Sequence, residues 1–155
     1  MSYEQLESQI IRHESEELRP YLDPVGKWTV GVGRNISDVK FSDVELLLLI
    51  GDGISGDLSR SMLASDLGQA EEDVSRLFTN AEISRMGDVR HECIINMSFN
   101  LGLTRLKQFK KMIAAVRVQD WDEAGAQMMD SRWYRQVGNR GVELVAQMRA
   151  GEYQS

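Results

Sequence analysis

One cysteine, two histidines and two prolines are all that 155 residues provide of those types, and each scarcity excludes something. Cys93 alone cannot close an internal disulfide. Together with His13 and His91 it offers too little sulfur and imidazole for an ordinary zinc site, so no metal is expected. The longest apolar run, Leu46 to Ile50, is far short of the roughly 20 residues of a membrane-spanning helix, so no stable membrane association is expected. Met1 to Gln5 has neither the basic nor the apolar region of a secretory signal, and the chain is expected to be made and kept in the cytoplasm. The 13 glycines are scattered, and no repeat or low-complexity segment interrupts the chain.

Against these absences stands an ordinary globular composition, 42% hydrophobic and 27% charged, enough for one domain or one domain in two small lobes. The formal charge of −6 is uneven: residues 1 to 80 carry 7 basic and 15 acidic side chains, residues 81 to 155 carry 11 and 9. Between Cys93 and Gln119 there is no acid, while Arg105, Lys107, Lys110, Lys111 and Arg117 fall there. That stretch reads first as a solvated helix face. An acidic protein is a poor generic nucleic-acid binder, and no nucleic-acid partner is expected.

Ser2 and Gln5 have capping-box spacing, and Tyr3, Leu6, Ile10 and Ile11 recur at helical steps, which predicts a helix from Tyr3 to Ser15. The same stripe continued lands on Glu14, a carboxyl where the pattern asks for an apolar side chain. Pro20 ends any helix, and Asp23-Pro24-Val25-Gly26 has the chemistry of a tight turn between short strands. In 27–33, Trp28, Val30 and Val32 alternate with Lys27, Thr29, Gly31 and Gly33, so Thr29 shares a face with two positions that carry no side chain and leave room for a ligand. A short helix is expected at Ser42 to Ile50, then a long one capped by Ser55 and running to about Asn80. Further helices are expected at Ala81 to Gly87, Asp88 to Leu101, Gln108 to Arg117, Trp121 to Met129, Arg132 to Gln136 and Arg140 to Ala150. The order of helix, small sheet, long helix and helical bundle predicts an α+β fold with its strands in the first third.

Cleaving a glycosidic bond requires a proton donor for the leaving oxygen and, across the sugar, a nucleophile or a base that activates water. Glu14 at a helix end and Asp23 on a turn suit those roles, because different surroundings can push two carboxyl pKa values apart. Rival motifs are weaker. His13-Glu14 begins like a zinc-protease helix, but Glu17 stands where the second histidine is required. Gly31-Val32-Gly33 lacks the third glycine of a dinucleotide fingerprint, Ile36 holding that place. Cys93, within an apolar helical run, reads as buried and inert.

Glu14, nine residues to Asp23, six more to Thr29 and then Val30-Gly31-Val32-Gly33 resemble the catalytic segment of the phage-type lysozymes, the T-even phage muramidases of glycoside hydrolase family 24. Ile95-Asn96-Met97-Ser98-Phe99-Asn100-Leu101-Gly102 is similar to that family's central-helix motif. Trp121-Asp122-Glu123-Ala124 and Ser131 to Arg140 resemble its C-terminal signature. The resemblance implies a two-lobed lysozyme fold: a sheet-containing lobe at about 13–58, a connecting helix at about 55–80, and a helical lobe formed by 81–155 with 1–12, the cleft lying between the lobes. It implies a muramidase acting on the β-1,4 bond between N-acetylmuramic acid and N-acetylglucosamine in peptidoglycan, with no cofactor.

By the same resemblance Glu14 is the general acid, Asp23 activates water and Thr29 holds it, with inversion. Asn100, Gln136 and Arg140 are implied as substrate-binding residues. Asn100 stands in place of a glutamine, and Arg140 matches an arginine near the catalytic Glu. Arg34 replaces a histidine whose acidic partner aligns with Asp66, which predicts a structural Arg34–Asp66 ion pair; arginine does not titrate near neutrality, so the pair should be insensitive to pH there. The setting implied is host-cell lysis by a phage or prophage endolysin, acting as a monomer on glycan strands. Such an enzyme would be held in the host bacterial cytoplasm until another protein permeabilises the membrane. A catalytically silent module binding glycan or protein, and a transglycosylase giving an anhydro product, are the alternatives.

Overall fold

The computed structural model describes residues 3–36, 51 and 53–154. The expected helix at Ser42 to Ile50 and the cap at Ser2 lie outside the described residues. What is described is mostly helical with one small antiparallel sheet near the N-terminus, an α+β fold. The chain divides into two compact units, 1–66 and 67–155.

In the first unit, α1 (Glu4–Glu14) buries Leu6, Gln9 and Ile10 on one side. Tyr3 occupies the N-cap position, its side chain making no capping hydrogen bond. Ser15 ends the helix: its φ of 65° leaves the helical region, and its amide donates to Ile11 O at 2.7 Å. The sheet order is β1 (Glu17–Leu22), β2 (Trp28–Gly31), β3 (Arg34–Asn35). Pro20, which has no amide to donate, sits in the edge strand β1, where the register shifts between Glu17 and Tyr21. The continuous alternation expected for 27–33 stops at Gly31. Gly31 and Gly33 take φ of 65° and 71°, which closes the β2–β3 hairpin there. Val30 is packed with Ile54 and Met62 beside Ile36 and Leu58, whereas Trp28, on the same side of the strand, is half exposed.

Helix α2 (Gly56–Leu77) is capped by Ser55, whose Oγ accepts from Leu58 N at 3.0 Å. Met62, Leu63, Leu67, Ala70 and Val74 recur at three or four residues and are buried, as the spacing requires. The division between the units falls within this helix, after Asp66.

In the second unit, α3 (Asn80–Leu101) opens with a full capping box, Thr79 with Glu82. Gly87 breaks it with φ 80°, at the place where the sequence separates two helices. Then come α4 (Leu103–Leu106), α5 (Lys110–Arg117), α6 (Trp121–Met129), α7 (Arg132–Val137) and α8 (Asn139–Ala150). The single turn α4 is too short to show a period. Ile94, Ile95, Met97, Leu106, Met112, Met128, Leu144 and Met148 are all fully buried and form the apolar interior of this unit. Side chains of α3 also bind the backbone of α8: the buried Cys93 thiol donates to Leu144 O at 3.3 Å, and Arg90 Nε to Met148 O at 2.7 Å. No helix among the described residues is long and apolar enough to cross a membrane.

Candidate active site

Glu14 is the last residue of α1, so its carboxyl is delivered where the chain turns into β1. A Cβ built on Gly33 would stand 2.8 Å from Glu14 Oε2 and 2.9 Å from its Cδ. The carboxyl therefore lies directly on the backbone of the β2–β3 turn, in the space an absent side chain leaves. The other glycine is used differently. A Cβ on Gly31 would meet Ser59 Oγ at 3.4 Å and Ile54 Cδ1 at 3.5 Å. The space the sequence suggested for a ligand beside Thr29 is thus filled at Gly31 by the unit's interior and at Gly33 by Glu14.

Asp23 builds the β1–β2 turn. Its Oδ1 accepts from Val25 N at 2.9 Å and Lys27 N at 2.8 Å, and its own amide donates to Lys27 O at 2.8 Å. This Asx-type closure holds the carboxylate still and spends only Oδ1, leaving Oδ2 for another acceptor role. Thr29, in the central strand, is buried, and its hydroxyl donates to Lys27 O at 3.2 Å. With its hydrogen engaged there, Oγ1 can only accept from anything that approaches.

Tyr21 is not singled out by sequence reasoning, yet it stands directly across from Thr29, with Asn35 on the strand's other side. Burial raises the Tyr21 phenol above its ordinary value, and the charges of Glu14, Glu17 and Asp23 add to the rise. One phenol thus senses both candidate catalytic carboxylates. Its place follows from the β1–β2 register, which the sequence does not state.

Arg34 and Asp66 are paired. Nη2 donates to Oδ1 at 2.7 Å and Nε to Oδ2 at 3.1 Å, a two-pronged contact that ties β3 to α2. Arg34 Nη2 also reaches Met62 O at 3.4 Å. The pair supports the hairpin that carries Gly33.

The other three sequence-derived site residues belong to the second unit. Asn100 Oδ1 accepts from Trp133 Nε1 at 2.7 Å, and Phe109 meets the Trp133 ring edge-on at 6.1 Å between centroids. Asn100 therefore fixes an aromatic wall. Trp133 and the exposed Gln136 line a groove of about 680 Å³ whose border also carries Arg105, Lys110, Lys111 and Arg132. Arg140 is buried, and its Nε and Nη2 donate to Asn96 Oδ1 at 3.1 and 2.8 Å. Asn96, inside the central-helix motif, is the partner that sequence reasoning leaves unassigned. Among the described residues no three His, Cys, Asp or Glu side chains gather where they could hold a metal ion.

Residues 11–152 match the model of a family described as phage lysozyme. The chain is 27% identical over 152 residues to a probable T4-type lysozyme 1 of Dictyostelium discoideum, 89% of each chain being covered. It is 24% identical to a probable T4-type lysozyme 2 of the same organism, over the same shares. It is also 25% identical over 157 residues to the pre-baseplate central spike protein Gp5 of Enterobacteria phage T4, covering 93% of this chain and 27% of that one.

Proposed function

Since the chain belongs to the phage lysozyme family, we propose that it is a muramidase that hydrolyses the β-1,4 bond between N-acetylmuramic acid and N-acetylglucosamine in bacterial peptidoglycan. Glu14 gives its proton to the leaving glycosidic oxygen. A water on the opposite side of the sugar attacks the anomeric carbon, and Asp23 Oδ2 takes the proton that this water loses. Thr29 Oγ1, whose own hydrogen is held by Lys27 O, accepts the water's second hydrogen. With both hydrogens bound by acceptors, a lone pair is left for the carbon. The anomeric configuration is inverted, as expected when a water rather than a carboxylate attacks.

The observation that carries this reading is the seat of Glu14 on Gly33, in the unit that also fixes Asp23 by one oxygen and Thr29 by its hydrogen. The family match across 11–152 supports a glycoside hydrolase and peptidoglycan as its substrate. Asn100, Gln136 and Arg140 are assigned to substrate binding, Asn100 through the Trp133 wall. The enzyme works as a monomer without a cofactor, stays in the host bacterial cytoplasm, and reaches the wall once the membrane is permeabilised, in the lysis that ends a phage or prophage cycle.

The experiment is digestion of purified peptidoglycan with proton NMR and mass analysis of the first products. Reducing muropeptides that appear first as the α-anomer fit the mechanism. Anhydro products would replace hydrolysis with the transglycosylase route, and β-anomers would make Asp23 or another group a nucleophile.

A further inference from the structure

On the face of the sheet that Tyr21 shares with Thr29 the other side-chain donors, Lys27 and Asn35, already have interactions of their own. Asp23 and Glu17 are carboxylates that only accept, the proton of Glu14 is the one given to the leaving oxygen, and Thr29 Oγ1 has its hydrogen engaged by Lys27 O. Tyr21, Thr29 and Asn35 form one row across the three strands. The Tyr21 hydroxyl makes no hydrogen bond to a described residue and is not among the buried polar atoms sealed from solvent.

An amino sugar of the wall presents hydroxyls, which both donate and accept, and one N-acetyl carbonyl, which only accepts. Carboxylates and Thr29 can receive the hydroxyls; the carbonyl needs a donor. We propose that Tyr21 is a substrate-contacting residue whose hydroxyl donates to the N-acetyl carbonyl of the sugar beside the scissile bond, making the N-acetyl group a specificity determinant. This rests on the muramidase reading and adds to it a recognition element outside the acid, base and water-holding set. The site's negative charge favours this role, because burial and the neighbouring carboxylates keep the phenol protonated, hence a donor, throughout the range in which a muramidase works.

The test is kcat/KM of the wild type and Tyr21→Phe on three walls: native, chemically de-N-acetylated, and the same de-N-acetylated material re-acetylated. A neutral hydrogen bond of ordinary strength corresponds to a loss of about tenfold. Tyr21→Phe should lose about tenfold on the native and re-acetylated walls and stay within about twofold of wild type on the de-N-acetylated wall, with an unchanged thermal midpoint. The wild type alone should prefer the two acetylated walls by a similar factor. Equal losses on all three walls, no loss on any, or a wild type indifferent to acetylation would each overturn the assignment while leaving the muramidase standing. A wild type that releases no reducing ends from any wall would instead remove the muramidase reading, and this assignment with it.

Discussion

Asp23 does two jobs with two oxygens, and they can be separated. Oδ1 closes the β1–β2 turn through Val25 and Lys27 amides, while Oδ2 is the proposed base for water. Asp23→Asn keeps an acceptor oxygen for the turn and removes the base. It should unfold within about 0.5 kcal/mol of wild type, yet lose on the order of 10²-fold or more in kcat. Asp23→Ala should lose the same activity and about 1 kcal/mol of stability as well, because the two exposed turn hydrogen bonds are exchanged for bonds to water. A urea titration beside an activity assay separates the two, and an active Asp23→Asn would remove the base from the mechanism. Gly33 is the complementary case. A side chain there meets Glu14 Oε2 at 2.8 Å and must adopt a φ of 71°, so Gly33→Ala should cost about 1 to 2 kcal/mol from backbone strain. Its activity should fall much further than that cost explains, because Glu14, the proposed general acid, is pushed off its seat. A Gly33→Ala protein with normal kcat would show that the seat does not matter.

At the scale of elements, the middle of α3 holds two neighbouring buried titratable groups that respond oppositely to pH. His91 is buried with Nε2 unpartnered among the described residues. Burial lowers its pKa, while Glu71 and Asp88 oppose the fall. Its neutral form is favoured by folding, so its contribution is whole above the unfolded value near 6.5 and is lost as pH falls through the folded one. Burial raises the pKa of Glu92, a hydrogen bond from Tyr153 at 2.5 Å partly offsets this, and Asp88 adds to the rise. That contribution is whole below the unfolded value and is lost as pH rises through the folded one. Wild type should therefore lose stability relative to His91→Gln between pH 7 and 5, and gain it relative to Glu92→Gln. Parallel curves for all three proteins would contradict the burial argument. Neither effect is legible in the string His91-Glu92, because the groups that act on them, Glu71 of α2 on His91 and Tyr153 beyond α8 on Glu92, are far off in sequence. Elements with a strong local signal were legible: α1, the break at Gly87, the Ser55 cap and α6 follow from spacing and punctuation alone. The single turn α4 carries no period, and the end of β2 depends on glycine conformations that an alternating pattern does not encode. At the site, Glu14, Asp23 and Thr29 could be named because they form an ordered string. Tyr21 and Asn96 could not, since Tyr21 is placed by the strand register opposite Thr29 and Asn96 by Arg140, 44 residues away.

For the whole molecule, charge is the feature that separates binding from chemistry. The protein carries −6, with the deficit in residues 1 to 80, and its proposed substrate is also anionic. Repulsion between exposed charges is screened over about 10 Å at 0.1 M salt, so KM on whole wall should fall as ionic strength rises from about 10 to 150 mM while kcat changes little. A KM that rises with salt would mean that attraction by the groove cations Arg105, Lys110, Lys111 and Arg132 outweighs the net charge. The proposed chemistry rests on one proton, that of Glu14. Release of reducing ends from purified peptidoglycan by the wild type and by Glu14→Gln, with the fold of each verified by its thermal midpoint, examines that proton without an intermediary. The mechanism requires activity in the wild type and its loss in a folded Glu14→Gln; equal activity in the two, or none in the wild type across several wall chemotypes, would refute it.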